Sequence, residues 1–192
     1  AEMPARIRVI EALDGQIVTG SAEDTTVAAD GWLQTDPARD LLKICVVNRY
    51  TPDAPVAVGL VRGFGLRKGA LASSVAHDSH NIVAVGTDDD AICDAVNAVI
   101  GAKGGVASTD GAGDTRVLAL PIAGLMSPKD GYALAHEYAA LDAWTKSALG
   151  CALRAPFMVL SFLALPVIPK LKMTDLGLFD VEQFGFVQVE MT

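Results

Sequence analysis

The fold is decided by the stretch ALASSVAHDSHNIVAVGTDDDAICDAVNAVIG, residues 70–101. Apolar runs at 70–75 and 82–85 flank a polar loop, a pattern typical of two neighbouring β-strands. Thr87 is placed to cap a following helix, and three aspartates suit the positive N-terminal end of that helix. Gly101 can end it. Two strands followed by an amphipathic helix predict a protein that combines a sheet with helices.

Further strand and helix patterns lie on both sides of this stretch. Additional strands are predicted at 7–10, 17–18, 41–47, 56–61, 105–108, 116–120 and 186–189. A second helix is predicted to begin at Ser127-Pro128 and to end at Gly150. We therefore predict an α+β fold with a largely antiparallel or mixed β-sheet and two main helices.

The length predicts one ordinary domain with an attached segment. Residues 41–192 form the predicted domain, and residues 1–40 are predicted to be a linking β-strand segment that could belong in part to a neighbouring β unit. The 192 residues can bury a core of their own. They are too few for a complete eight-stranded α/β barrel, which needs about 250 residues.

Charge and hydropathy exclude several classes of partner. Acidic side chains outnumber basic ones by 23 to 15, which gives a formal net charge of −8 and makes nucleic acid an unfavourable partner. The most apolar stretch, 157–168, is interrupted by Ser161 and Pro166 and falls short of the roughly 20 residues that span a bilayer. We expect it to be core or a face that packs on a neighbouring domain. The three distant cysteines, together with an N-terminus without a leader pattern, predict a cytoplasmic protein.

The loop between the two central strands carries the candidate site. It contains Ser73, Ser74, His77, Asp78, Ser79, His80 and Asn81, and it holds two of the three histidines of the chain. Two imidazoles with a carboxylate between them could bind manganese, iron or zinc, so His77, Asp78 and His80 are candidate ligands. They could instead hydrogen-bond a purine or move protons near neutral pH. The plainer alternative is a solvated loop whose polar side chains make turns and caps.

A metal site would need more than this loop supplies. Residues three apart on a strand point to opposite faces, so His77 and His80 could share an ion only in a turn or a tight loop. A complete site also needs a third or fourth ligand. His136 and Asp180 are the available candidates, although His136 is more simply explained as a surface histidine.

A glycine-rich segment upstream of the loop resembles a dinucleotide-binding motif but lacks its context. In the run 63–69 the glycine spacing is one residue too long, and a strand follows where that motif requires a helix N-terminus. We therefore predict a tight turn. The sequence also lacks nucleophile-elbow, phosphate-loop and nucleic-acid zinc-deaminase motifs.

Five blocks of sequence resemble the C-terminal region of adenine deaminases of the amidohydrolase superfamily. They are residues 63–66, 69–82, 120–127, 156–169 and 174–180, in that order. The resemblance implies a purine-salvage hydrolase that converts adenine and water to hypoxanthine and ammonia. It also implies a binuclear manganese or iron centre in a preceding α/β barrel. The barrel's H-x-H strand motif is not in this sequence, so no catalytic residue is assigned, and this part alone is expected to be inactive.

The resemblance gives the polar loop a specific expected role. Residues 77–81, together with Ser73 and Ser74, are expected to lie near the substrate and to support or cover the active site. The expected partners are adenine, the barrel domain of the same protein and further copies in a homo-oligomer. Two alternatives stay open: a non-catalytic scaffold or oligomerisation module, and a small metal-binding or ligand-binding protein.

Overall fold

The computed structural model describes residues 3–29 and 31–191. Its strands are β1 (Met3–Ala12), β2 (Thr19–Ala29), β3 (Trp32–Leu33), β4 (Leu42–Val47), β5 (Ala57–Arg62), β6 (Ala70–Ser73), β7 (Ile82–Gly86), β8 (Gly105–Thr109), β9 (Thr115–Ala119), β10 (Leu171–Thr174), β11 (Gly177–Asp180), β12 (Gly185–Phe186) and β13 (Glu190–Met191). Its α-helices are α1 (Asp89–Gly101), α2 (Gly131–Leu149) and α3 (Pro156–Phe162).

Most of the strands form a single mixed sheet. The order is β3-β2-β1-β5-β4-β7-β6-β8-β9, and β13 also pairs with β1. Strands β1 and β5 are parallel, and the other neighbours in this sheet are antiparallel. Strands β10, β11 and β12 form a small second sheet. The predicted α+β fold with a mixed sheet is confirmed.

The predicted linking segment contributes strands to the same sheet. Strand β1 pairs along its whole length with β2 and also meets β5, through Ile10 opposite Val61. The division into residues 1–40 and 41–192 stays a prediction.

Both faces of the central strands are covered, which explains their continuous apolar sequences. All five residues of β7 are buried, as expected for a strand enclosed by two layers. Helix α1 packs on one face, where small side chains such as Ala72, Ala84 and Ala107 let it approach closely. Helices α2 and α3 and the second sheet cover the other face. The chain thus encloses a hydrophobic core of its own, as an independently folding unit does.

Both main helices exist, but the residues that cap their N-termini differ from the predicted ones. Helix α1 is capped by Asp88, whose carboxylate accepts the Ala91 N–H at 2.8 Å, while the Thr87 hydroxyl bonds to Gly69 and Asp88. Helix α2 begins at Gly131 rather than at Ser127-Pro128 because the Asp130 carboxylate accepts two N–H groups of its first turn. Gly150 ends α2 with φ +78°, as predicted.

The glycine-rich segment is a structural turn, as predicted. The Asp40 carboxylate accepts the N–H groups of Gly63 and Gly65 at 2.7 and 2.8 Å, so these amides already bind an anionic group of the chain itself. Gly63 has φ +103°, and a β-carbon there would lie 2.1 Å from the Ala12 carbonyl oxygen. The turn drives Phe64 and Leu66 into the core, where both are fully buried.

A buried lysine joins three segments of the chain. Lys172 on β10 is fully buried, and its ammonium donates to the carbonyls of Ile17 and Phe162, both at 3.0 Å. Burial lowers the pKa of Lys172 from 10.5 to about 8. This side chain ties the second sheet to the end of α3.

The three cysteines are free thiols, and two of them are buried. Burial raises the pKa of Cys45 to about 12 and that of Cys151 to about 11, whereas Cys93 is exposed on α1. Among the described residues, no helix is both long and apolar enough to cross a membrane.

Candidate functional site

The predicted loop lies at one end of the main sheet, between β6 and β7. Along it, His77 and His80 are half-buried, Asp78 and Ser79 are exposed, and Asn81 is buried. Exposed polar side chains are therefore presented at the tip of a loop that is fixed at both ends by buried strands.

The serines at the start of the loop are buried and bonded to backbone groups. The Ser74 hydroxyl donates to the Gly124 carbonyl at 2.6 Å and accepts the Gly105 N–H at 2.8 Å. The Ser73 hydroxyl accepts the Val75 N–H at 2.9 Å. These bonds give both serines a supporting position, and their proximity to substrate stays a prediction.

Two residues that the sequence did not single out hold the loop from one side. The Arg49 guanidinium donates through Nε to the His80 carbonyl at 2.6 Å, and also to the Ala123 carbonyl. The Tyr50 hydroxyl donates to the Ser79 carbonyl at 2.8 Å. Strand pairing brings these residues together, because Val47 at the end of β4 lies opposite Ile82 at the start of β7.

Helix α3 holds the loop from the other side. The His77 N–H donates to the Ser161 carbonyl at 2.9 Å, and the His77 ring lies 4.6 Å from the Phe162 ring, centroid to centroid. The His77 ring is thus fixed both by its backbone and by an aromatic neighbour.

The two imidazoles lie side by side, and the pKa of one of them is lowered. Their ring centroids are 5.9 Å apart in an edge-on arrangement. Burial is the largest cause that lowers the pKa of His80 below its ordinary value, and the nearby His77 and Arg49 lower it further. The His80 Nδ1 atom is shielded from solvent and has no hydrogen-bond partner among the described residues.

The loop does not gather a complete set of metal ligands from this chain. Within residues 3–29 and 31–191, no group of three or more His, Cys, Asp or Glu side chains is arranged to hold an ion. His136 is exposed on α2, and the Asp180 carboxylate caps a turn by accepting the Glu182 N–H. A metal role for His77, Asp78 and His80 stays a prediction that requires further ligands from elsewhere.

Two pockets flank the loop. The first, of about 210 Å³, lies between α2, α3 and the sheet, and His77 is at its edge. The second, of about 410 Å³, is lined on one side by Asp78 and Ser79 and on the other by the turn that contains Asp175. The loop thus separates an apolar pocket from one that contains carboxylates.

Comparison with known proteins gives the chain a family. The sequence model of the family described as adenine deaminase C-terminal domain matches residues 16–185 of this chain. The chain is 56% identical over 182 residues to the adenine deaminase of Salinibacter ruber, covering 95% of this chain and 33% of that protein. It is 47% identical over 189 residues to the adenine deaminase of Methanosarcina barkeri, a match that covers 98% of this chain and 34% of that protein. The chain spans about a third of the length of these relatives, and it belongs to the adenine deaminase C-terminal domain family.

Proposed function

We propose that this chain is the C-terminal part of an adenine deaminase and that its loop 77–81 helps to enclose the purine. The catalytic domain would come from the part of the protein beyond this chain, since relatives named adenine deaminase are about three times as long. The supporting observation is the geometry of the loop: polar side chains are exposed at its tip while Arg49, Tyr50 and Ser161 fix its backbone. Such preorganisation is what a substrate-covering loop needs.

The side chains of the loop suit the hydrolysis of adenine to hypoxanthine and ammonia. The His77 and His80 imidazoles can hydrogen-bond a purine. We assign these residues a supporting role beside the catalytic domain and not the hydrolytic step itself.

The proposed metal centre belongs to the catalytic domain. Manganese or iron would supply an activated water there, but the described residues of this chain do not gather a ligand set that fits such an ion. The free thiols suit a reducing compartment, so a cytoplasmic role in purine salvage is part of the same proposal. The proposal also includes assembly of the full-length protein into a homo-oligomer.

The test is substitution of the loop histidines in the full-length protein that carries this chain. His77→Ala and His80→Asn are expected to lower kcat/KM for adenine by on the order of 10–100-fold, because the purine would be less well positioned. Asparagine is chosen at His80 because φ is +53° there and asparagine tolerates that conformation. Ammonia release gives the rate, and metal analysis shows whether the catalytic centre stays loaded.

His136→Ala is the matched control, since this third histidine is exposed on α2. It is expected to leave turnover unchanged. Wild-type turnover in both loop variants would refute the role of the loop and favour a scaffold or oligomerisation module. The 192-residue chain alone, supplied with manganese or ferrous ion, is expected to release no ammonia.

A further inference from the structure

The larger pocket beside the loop combines carboxylates with aromatic rings, and we call it the acidic-aromatic pocket. Its lining comes from Asp78 and Ser79, residues 164–167 after α3, the turn 174–176, and Phe179 and Phe186 of the second sheet. It therefore directly adjoins the loop that carries His77 and His80.

The rim of this pocket exposes large apolar side chains. Leu176 is 77% exposed, Val167 67% and Phe186 56%. Phe184, which contacts the pocket residue Phe179, is 78% exposed. The ring of Phe179 meets those of Phe184 and Phe186 edge to face, at 5.6 and 5.2 Å between centroids. A group of exposed apolar side chains at a single place marks an interaction surface rather than scattered surface residues.

Within the part of the chain that the structure describes, the carboxylates of the pocket lack cationic partners. Among the described residues, neither Asp78 nor Asp175 forms an ion pair with lysine, arginine or histidine. The Asp175 carboxylate is held in place by the neutral Asn48 amide, which donates at 2.7 Å. A partner that covered these carboxylates with apolar atoms alone would leave buried charges unpaired, at high cost.

The chemistry of the pocket therefore specifies its complement. An arginine or lysine side chain has an apolar stem for the pocket wall and a charged end for the carboxylates. Aromatic rings also attract such cations. The partner should present one of these side chains among apolar neighbours.

We propose that the acidic-aromatic pocket docks an apolar segment of the catalytic domain, with an arginine or lysine of that segment paired to Asp78 and Asp175. The chain spans about a third of the relatives that it matches, and in a protein of their length the remaining two thirds would be a tethered source of such a segment. This inference rests on the proposed function, because it takes the catalytic domain as the partner. Docking at this pocket would set the distance between His77 and the purine.

The test compares amide hydrogen exchange in the full-length protein and in the 192-residue chain, which encloses a core of its own. Residues 174–179 and 184–187 are expected to exchange at least about tenfold more slowly in the full-length protein. Leu176→Asp is expected to abolish that difference. Asp78→Asn combined with Asp175→Asn is expected to reduce it and to weaken its dependence on ionic strength.

Tyr132→Asp is the matched control, because Tyr132 is 88% exposed at the start of α2. It is expected to leave the exchange pattern of residues 174–187 unchanged. Equal exchange of these residues in the full-length protein and in the chain alone would overturn the proposal.

A second copy of the chain is the competing occupant, and sedimentation distinguishes it. If the 192-residue chain dimerises and Leu176→Asp makes it monomeric, the docking proposal is overturned in favour of self-association. A monomeric 192-residue chain supports docking to the catalytic domain. The readout is hydrogen exchange rather than ammonia release. The docking proposal can therefore fail while the loop histidines still affect turnover, and the loop histidines can prove unimportant for turnover while docking is confirmed.

Discussion

Replacing Phe64 by alanine is expected to lower the free energy of unfolding by about 3–5 kcal/mol, enough to threaten folding of the chain. The ring is fully buried, and Gly63 and Gly65 on either side are held by Asp40. The backbone therefore cannot move inward to fill the space, and most of the cavity would remain. Urea unfolding of the 192-residue chain measures the change.

Tyr132→Ala provides the matched control because an aromatic ring is removed from an exposed position. It is expected to change stability by no more than about 0.5 kcal/mol. If Phe64→Ala lowers the free energy of unfolding by less than about 1 kcal/mol, the turn can move inward and fill the cavity. That result would contradict the role of Asp40 in holding the turn in place.

The second large effect is a pH dependence that comes from Lys172. Its pKa is about 8 in the folded chain, against 10.5 ordinarily, so between these values the unfolded chain holds a proton that the folded chain lacks. Stability therefore rises with pH through this window and is lowest below pH 8. Between pH 7 and pH 10 the free energy of unfolding of the wild type is expected to rise by about 2 kcal/mol relative to that of Lys172→Met.

Unfolding of both proteins at several pH values measures this difference, and other titrating groups cancel in the comparison. Lys170→Met removes a neighbouring, more exposed lysine and is the matched control. A difference between wild type and Lys172→Met that does not vary with pH would contradict the lowered pKa of the buried amine.

The sequence predicted the elements with strong local signals. Helix α1 has an amphipathic pattern between an acidic start and Gly101, and β8 and β9 lie where strands were predicted at 105–108 and 116–120. The loop of the candidate site was located correctly because its polar residues interrupt two apolar strands.

Other elements gave no periodic signal. Helix α3 has seven residues, five of them buried, so no polar face distinguishes it from an apolar strand or loop. The hairpin of β10 and β11 was missed because Lys172 occupies a fully buried position. A lysine in the core contradicts the usual pattern and becomes understandable only when its two carbonyl acceptors are seen.

The supporting residues of the site depend on long-range pairing. Arg49 and Tyr50 lie about 30 residues before the loop, and a strand register brings them beside it. Register between distant strands is not visible in a single sequence, so these two residues were outside the reach of motif analysis.

The uneven burial of the cysteines makes the chain suitable for spectroscopy without mutation. At neutral pH the thiols of Cys45 and Cys151 are almost entirely protonated and are shielded, whereas Cys93 meets solvent on α1. A maleimide dye or a nitroxide would therefore attach at a single native position. Helix α1 covers the sheet face opposite α2 and α3, so a label there leaves both pockets free and can report their occupancy by energy transfer across the sheet.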